Sequence, residues 1–300
     1  MGLFQLLVRI FLIISHSFFS SFYHSCHIMH VDVRGDSRGA AEVINYWVAE
    51  KTNNKVTEIV TPDAVDSMTR LVLVNAVYFK GDWLKKFDAN VTKDDDFHIS
   101  LNESVKVKMM HMKSKFYFGV NSELNCQALE LPYTGENLSM FILLPDQATT
   151  LSQLEEKLTS DDLVNAQEKF SMTSAKVSVW LPRFSLDEKL SLADVLGEMG
   201  MRDLFAQGVA DLSGLDGSKE LFVSKILHRA VVEVNEKGTE AAAATAVVTM
   251  MRSAPLPVKE VNFRADRPFL FFIRDKATRS ILFLGRLAKP PSVASAKGEL

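Results

Sequence analysis

The sequence has little of several features that define the main protein classes. Its 300 residues include 14 Gly, 9 Pro and 2 Cys, and 34 basic residues nearly balance 37 acidic ones. The low Gly and Pro content excludes collagen and low-complexity disorder, and two cysteines exclude a disulfide scaffold. A net charge of −3 provides no field that would attract nucleic acid or acidic membranes. With 47% apolar residues, the chain is expected to form an ordinary globular protein with a real core.

The common motifs of enzymes and metal proteins are also missing. The chain has no Gly-rich phosphate loop, no G-x-S-x-G, no H-E-x-x-H and no C-x-x-C. Four ligand-type residues occur within His24–His30, but they are too close together to enclose a tetrahedral metal ion. The acidic run Asp94–Asp96 lacks the pattern of a calcium loop and indicates a solvated turn. We therefore predict no enzyme activity, no cofactor and no metal site.

The first thirty residues differ from the rest of the chain. Their only charged side chain is Arg9, and most of the others are Leu, Ile, Phe and Ser. The apolar stretch Ile10–Ile14 is too short to span a bilayer, so no membrane span is predicted. The segment fits a secretory signal with a cleavage candidate at Ser15–Ser17, whereas a mis-assigned start and an uncleaved anchor are the alternatives. A signal predicts a secreted, extracellular protein.

Hydrophobic periodicity predicts a mixture of helices and strands. It indicates an amphipathic helix over 36–52, and the continuous apolar run Leu71–Phe79 predicts a strand buried on both faces, in which Asn75 needs a partner. Val105–Met112 alternates like a half-exposed strand, and Leu138–Leu144 reads as another buried strand. Further helices are predicted at 151–158, 161–170 and 187–199, and further strands at 175–183, 222–234, 268–274 and 280–286. The order lacks regular strand–helix alternation, so the fold class is α+β.

One segment has conflicting local preferences. Residues 236–253 contain four consecutive alanines, which favour a helix, whereas Val247–Thr249 favours a strand and Gly238 offers a hinge. In an extended conformation, one face of the segment carries only small or apolar side chains, while the other carries Glu240 and Arg252. Members of the uncharged face are Thr239, Ala241, Ala243, Thr245, Val247, Thr249 and Met251. Such a segment can lie outside as a loop or enter a sheet, so it is expected to be bistable.

Several segments match the signatures of one known family. Glu236–Thr245 (EKGTEAAAAT) is similar to the hinge of an inhibitory reactive loop. Asn75–Trp83 (NAVYFKGDW), Leu181–Phe184 (LPRF), Met199–Met201 (MGM) and Ala265–Ile273 (ADRPFLFFI) match further signatures in the same order and spacing. Through these motifs, the chain resembles the serpins, the serine protease inhibitor family.

The resemblance implies the serpin fold and a particular domain organisation. That fold has a large mixed or antiparallel sheet, smaller sheets, surrounding helices and an exposed reactive loop. We expect an apolar leader at 1–30, an incomplete serpin domain at 31–290 and a tail at 291–300. The helices and edge strands that precede 36–52 in the family are expected to be missing. The strand Leu71–Phe79 would then lie at a sheet edge, in a protein predicted to be monomeric.

The resemblance also implies a suicide inhibitor of serine proteases. In this family, the cleaved loop inserts as a new strand and carries the acyl-enzyme with it; here it would enter between Leu71–Phe79 and 222–234. Counting in the family's manner from Gly238 places the reactive bond at Arg252–Ser253, and Arg suits trypsin-like proteases. A slip of one residue would present Met251 to chymotrypsin- or elastase-like proteases instead. The implied hinge residues are Glu236, Gly238, Thr239, Glu240, Ala241, Ala242, Ala243, Ala244 and Thr245.

Other implied sites concern control of insertion and secretion. Asn75 and His228 match positions where the family ties the centre of the sheet together, and Trp83 matches the top of the insertion path. Three sequons suit a secreted glycoprotein, and their asparagines are Asn90, Asn102 and Asn137. The expected partner is a trypsin-like serine protease. The alternative is a noninhibitory serpin-like binding or carrier module, or a truncated form without function.

Overall fold

The computed structural model describes residues 36–66, 68–217, 219–236 and 260–291. These residues belong to two compact units. The larger unit contains Lys80–Phe184 and the described residues from Val234 onward, and the smaller unit contains the described residues up to Phe79 together with Ser185–Glu233. Both units combine helices with strands in irregular order, which confirms the α+β class.

The helices and strands have the following bounds. Helices are α1 (Ser37–Lys51), α2 (Leu151–Lys157), α3 (Ser160–Val164), α4 (Ala166–Lys169), α5 (Ala193–Glu198) and α6 (Ser213–Asp216). Single 3-10 turns occur at Pro62–Ala64, Ala89–Val91 and Asp203–Phe205. Strands are β1 (Leu71–Phe79), β2 (Lys93–Ser100), β3 (Glu103–Asn121), β4 (Cys126–Pro132), β5 (Leu138–Pro145), β6 (Thr173–Pro182), β7 (Phe184–Ser191), β8 (Val223–Val234), β9 (Glu260–Arg264), β10 (Phe269–Asp275) and β11 (Ile281–Leu287).

The smaller unit is built on a three-stranded sheet in the order β1–β8–β7. β1 and β8 pair in parallel, and the predicted helix α1 covers one face of the sheet. Asp36 caps this helix, since its side-chain oxygen accepts the Gly39 N–H at 2.8 Å. The helix buries Ala41, Ile44 and Val48 against the apolar side chains of β1 and β8. Apolar burial therefore determines where α1 lies on this sheet.

Two predictions for this unit are wrong. None of the nine residues of β1 is buried, and within the described residues this strand has a neighbour on one side only, as the family resemblance implied. An apolar run does not distinguish a central strand from an edge strand. The helix predicted at 187–199 is also wrong, because Phe184–Ser191 forms β7 and only Ala193–Glu198 is helical. Pairing with β8 overrides the helix preference of this Leu-, Glu- and Lys-rich segment.

The larger unit is built on an eight-stranded sheet in the order β11–β10–β5–β4–β3–β6–β9, with β2 paired to β3. Its ladders are antiparallel except for the parallel pair β6–β9. The strands predicted at 138–144, 175–183, 268–274 and 280–286 are confirmed as β5, β6, β10 and β11. The helices predicted at 151–158 and 161–170 are confirmed in position, but Asn165 divides the second into α3 and α4. The three helices α2, α3 and α4 help to bury a core that includes Phe141, Phe170 and Phe272.

The acidic run of this unit does not form a solvated turn. Asp94 and Asp96 lie in β2, directly opposite Lys108 and Lys106 of β3. Their carboxylates bind these ammonium groups at 2.7 Å for Asp94–Lys108 and 2.9 Å for Asp96–Lys106. Cross-strand charge pairing therefore places the run in a strand, because each carboxylate meets a cation of the neighbouring strand.

Candidate functional site

The first part of the site lies where β1 pairs with β8, a pairing we call the seam. Asn75 and His228 stand directly opposite each other, with the imidazole Nδ1 2.9 Å from the amide Oδ1. Because a carbonyl oxygen only accepts, the imidazole donates from Nδ1. His228 is buried, and its burial lowers the imidazole pKa to about 4. The pair is therefore a neutral hydrogen bond at neutral pH, and it connects the two predicted gating residues.

Separation of β1 from β8 would break a known set of hydrogen bonds. The parallel ladder runs from Leu71–Val223 to Phe79–Val232, with a register shift after its first pair. A strand that enters the seam must replace this ladder and break the bond between Asn75 and His228. The gating role of both residues stays a prediction of the family resemblance.

Charged side chains that the sequence analysis missed connect β8 to its surroundings. Arg229 binds Asp187 of β7 through Nε at 2.7 Å and through Nη2 at 2.5 Å. Its Nη1 also donates to the Glu58 carbonyl in the segment after α1. Lys55, in the same segment, lies 3.9 Å from Glu233 of β8. The segment between α1 and β1 is thus fastened to β8 by charged groups, which no motif in the sequence indicated.

The second part of the site lies in the larger unit, around Trp83. This side chain is 3% exposed, and its indole N–H donates to the Asn235 carbonyl at 2.9 Å. Asn235 directly follows β8 in the chain and precedes the hinge residue Glu236. The indole stacks on Tyr133 and meets Phe87 edge-on. Trp83 therefore contacts the backbone at the residue before the predicted hinge, and its gating role stays a prediction.

The hinge residue Glu236 is the only member of the predicted hinge within the described residues. It is buried, and its carboxylate lies 3.9 Å from Nη1 of Arg183. Arg183 belongs to the LPRF motif, but nothing in the motif identified its partner. A buried carboxylate beside a guanidinium fixes the start of the loop, because a buried charge needs a partner.

The remaining predicted site residues fall into two groups. The reactive bond Arg252–Ser253, the neighbouring Met251 and the hinge residues 238–245 lie outside the described residues, as do the leader and the cluster at 24–30. The sequon asparagines Asn90, Asn102 and Asn137 are all exposed. No helix of the described residues is long and apolar enough to cross a membrane. Within the same residues, no group of three or more His, Cys, Asp or Glu side chains could hold a metal ion.

A family model and the sequences of known relatives both support the resemblance. The family model "Serpin (serine protease inhibitor)" matches residues 13–290, which include part of the predicted leader. The leukocyte elastase inhibitor of Bos taurus is 47% identical over 271 residues, covering 89% of this chain and 71% of that protein. The leukocyte elastase inhibitor of Homo sapiens is 45% identical over 272 residues, with the same two coverages of 89% and 71%.

Solved structures have the same fold. The crystal structure of uncleaved ovalbumin superposes with a TM-score of 0.76 at 35% identity, covering 87% of this chain and 65% of ovalbumin. The chain therefore spans slightly less than two thirds of that protein. A crystal structure of maspin superposes with a TM-score of 0.78 at 28% identity, covering 92% of this chain and 73% of that one. The expected fold is thereby confirmed, and the chain belongs to the serpin family of serine protease inhibitors.

Proposed function

We propose that this chain inhibits serine proteases by inserting its cleaved reactive loop into the seam. The parallel pairing of β1 with β8 across Asn75 and His228 carries the proposal. The hinge sequence follows β8 directly, and its uncharged face suits burial inside a sheet. A strand placed between β1 and β8 would run antiparallel to both, because the chain must reverse direction after β8.

The energetic requirement is within the reach of strand insertion. An inserted segment forms about ten backbone hydrogen bonds, each with a net contribution of roughly 0.5–1.5 kcal/mol. The driving free energy is therefore on the order of 10 kcal/mol, comparable with the stability of a whole domain. This amount is large enough to offset the distortion of a bound protease.

The residue at the reactive bond sets the class of protease. Arg252 before Ser253 supports a trypsin-like target, because a guanidinium pairs with the aspartate of such a specificity pocket. The names of the bovine and human relatives indicate elastase instead. The register with Met251 at the bond would serve an elastase- or chymotrypsin-like protease. We propose Arg252 as the primary specificity residue and treat Met251 as the alternative.

Incubation with trypsin and with elastase distinguishes these registers. The wild-type chain is expected to form an SDS-resistant complex with trypsin, and Arg252→Ala is expected to abolish it. Met251→Ala serves as the matched control and should leave the trypsin complex intact. A complex with elastase that depends on Met251 would instead support the alternative register. Cleavage by both proteases without any complex would contradict inhibition.

Insertion itself is tested by a pair of neighbouring substitutions. Ala241→Glu places a charge on the face that would enter the sheet without adding a trypsin site, so the variant should be cleaved by trypsin without forming a complex. Ala242→Glu places the same side chain on the opposite face and should still form one. An Ala241→Glu variant that traps trypsin as well as the wild type would exclude insertion of this face.

A noninhibitory binding or carrier module is the second candidate. The edge position of β1 favours the noninhibitory module. Within the described residues no further strand pairs with β1 on the side away from β8, so β1 is held only by the pairing that insertion would break. An inhibitor should melt at a much higher temperature after its loop is cut, because the new strand stabilises the sheet. An unchanged melting temperature after cleavage would favour the noninhibitory module.

We also propose that the chain is secreted. The apolar start of the sequence and the exposure of Asn90, Asn102 and Asn137 support this proposal. Expression in a eukaryotic secretory system should release protein whose mass falls after glycosidase treatment. Retention of unglycosylated protein inside the cell would contradict it.

A further inference from the structure

Tyr133 is held tightly against Trp83 in the larger unit. Their ring centroids are 4.5 Å apart, and the ring planes are inclined by 10°. The two residues also form an antiparallel β-bridge. The backbone of Thr134 donates to the Asp82 carbonyl at 2.6 Å, which holds the two chain segments together beside the rings. Both rings are almost completely buried, Tyr133 at 4% and Trp83 at 3% exposure.

This contact restricts the plane of the indole ring, within which the N–H points. A parallel stack restricts rotation of the Trp83 ring, because a turned indole would lose its contact with the Tyr133 face. Phe87 meets the same indole edge-on, with the ring centroids 6.2 Å apart. In this orientation the N–H group meets the Asn235 carbonyl at 2.9 Å.

Asn235 is the point at which the chain leaves β8. A loop that folds back beside β8 must reverse direction after this strand, and Asn235 and Glu236 are the described residues from which that pivot begins. The Trp83 hydrogen bond fixes the carbonyl at that pivot. A reversal that moves the Asn235 carbonyl would break this bond.

We propose that Tyr133 is a positioning residue for the hinge. It holds Trp83 in the orientation that binds Asn235, and this restrains the loop from inserting before a protease cleaves it. The role in restraint rests on the proposed function, whereas the role in orienting Trp83 does not. The sequence motifs contain Trp83 but not Tyr133, which only the fold brings to the site.

Hydrogen exchange of the Trp83 indole N–H tests the orienting role without any protease. Tyr133→Leu, which removes the aromatic face, should exchange this proton about two- to tenfold faster than the wild type. Tyr133→Phe retains the ring and should exchange it at the wild-type rate. Equal protection in Tyr133→Leu and the wild type would overturn the proposal.

Premature insertion can be measured because a chain with an inserted loop should melt at a higher temperature. The uncleaved protein is held at a fixed temperature below melting, and the fraction that has become heat-resistant is followed over time. Tyr133→Leu should convert about two- to tenfold faster than the wild type, and Tyr133→Phe at the wild-type rate. In a Trp83→Phe background, which lacks the indole N–H, Tyr133→Leu should add nothing further. An undiminished effect in that background would show general destabilisation and overturn the positioning role.

The two proposals fail in different ways. If the wild type forms no SDS-resistant complex with trypsin or elastase, the proposed function fails, whereas faster indole exchange in Tyr133→Leu still supports the orienting role. If the wild type does form a complex and Tyr133→Leu converts at the wild-type rate, the restraint of the hinge is overturned and inhibition stands.

Discussion

Arg229 of β8 binds Asp187 of β7 through both ends of its guanidinium group, at 2.7 and 2.5 Å. The arginine side chain is 13% exposed and the aspartate 43%. Hydrogen bonding to Arg229 lowers the pKa of Asp187. This pair joins the edge strand β7 to the strand that borders the seam.

Removal of this ion pair should weaken the smaller unit. We expect Arg229→Ala to lower the free energy of unfolding by about 1 kcal/mol, since the exposure of Asp187 screens part of the attraction. Arg229→Lys should recover only part of the loss, because Lys cannot form the two-pronged contact. Lys189→Ala is the control, as its 3.7 Å pair with Glu58 is exposed on both sides. In urea unfolding, the double variant Arg229→Ala/Asp187→Ala should lose less stability than the sum of the two single variants. Additive losses would contradict an interaction between the two side chains.

Stability should fall when the pH drops through the range in which His228 would gain a proton. Its pKa is lowered from 6.5 to about 4 in the folded chain, so the unfolded chain binds more protons between these values. The contribution of neutral His228 to the free energy of unfolding is therefore fully present above pH 6.5. It is lost as the pH falls toward 4. The total loss is on the order of 3 kcal/mol.

Chemical unfolding at several pH values measures this decline. His228→Gln removes the titrating group, so its stability should depend less on pH over the same range. His98→Gln replaces an exposed histidine and should retain the wild-type pH dependence. A wild-type slope in His228→Gln would show that other groups cause the decline.

The glycine at position 119 should not tolerate a side chain. A Cβ there would lie 2.0 Å from the carbonyl oxygen of Phe170, a backbone atom that cannot move without shifting α4. Gly119→Ala should therefore lower the free energy of unfolding by about 1–3 kcal/mol. Gly197→Ala is the matched control, because a Cβ on this residue of α5 meets nothing within 4 Å. That variant should be unchanged or more stable by about 0.5–1 kcal/mol, since Ala favours a helix.

The thiol of Cys126 should be unreactive in the folded chain. It is buried, and burial raises its pKa to about 12, so it is almost entirely protonated at neutral pH. In a Cys26→Ser variant, a thiol reagent at mildly alkaline pH should label Cys126 only as fast as the chain unfolds. Added urea should accelerate the labelling, and rapid labelling of the native protein would contradict the expected burial.

Much of the fold follows from local patterns. Apolar runs indicated β5 and β8, and helical spacing with an aspartate cap indicated α1, because burial selects these patterns within one element. The family motifs led to Asn75, His228 and Trp83, and the structure shows what each of them binds, whereas their gating roles stay predictions. β7 was predicted as a helix because its Leu, Glu and Lys favour one, and the competing ladder with β8 is not visible in its own sequence.

The sequence by itself determined the strongly apolar strands such as β5 and β8, the family and the composition of the loop that follows β8. Only the tertiary structure decided the partners of the charged and polar side chains. Asn75 meets His228 across 153 positions, Trp83 meets Asn235 across 152, and Arg229 meets Asp187 across 42. Local periodicity records which face of an element is buried, whereas a hydrogen bond or ion pair depends on which distant strand is brought beside it. The proposed restraint on the hinge belongs to this second class, because Tyr133 acquires its place beside Trp83 only when the chain folds.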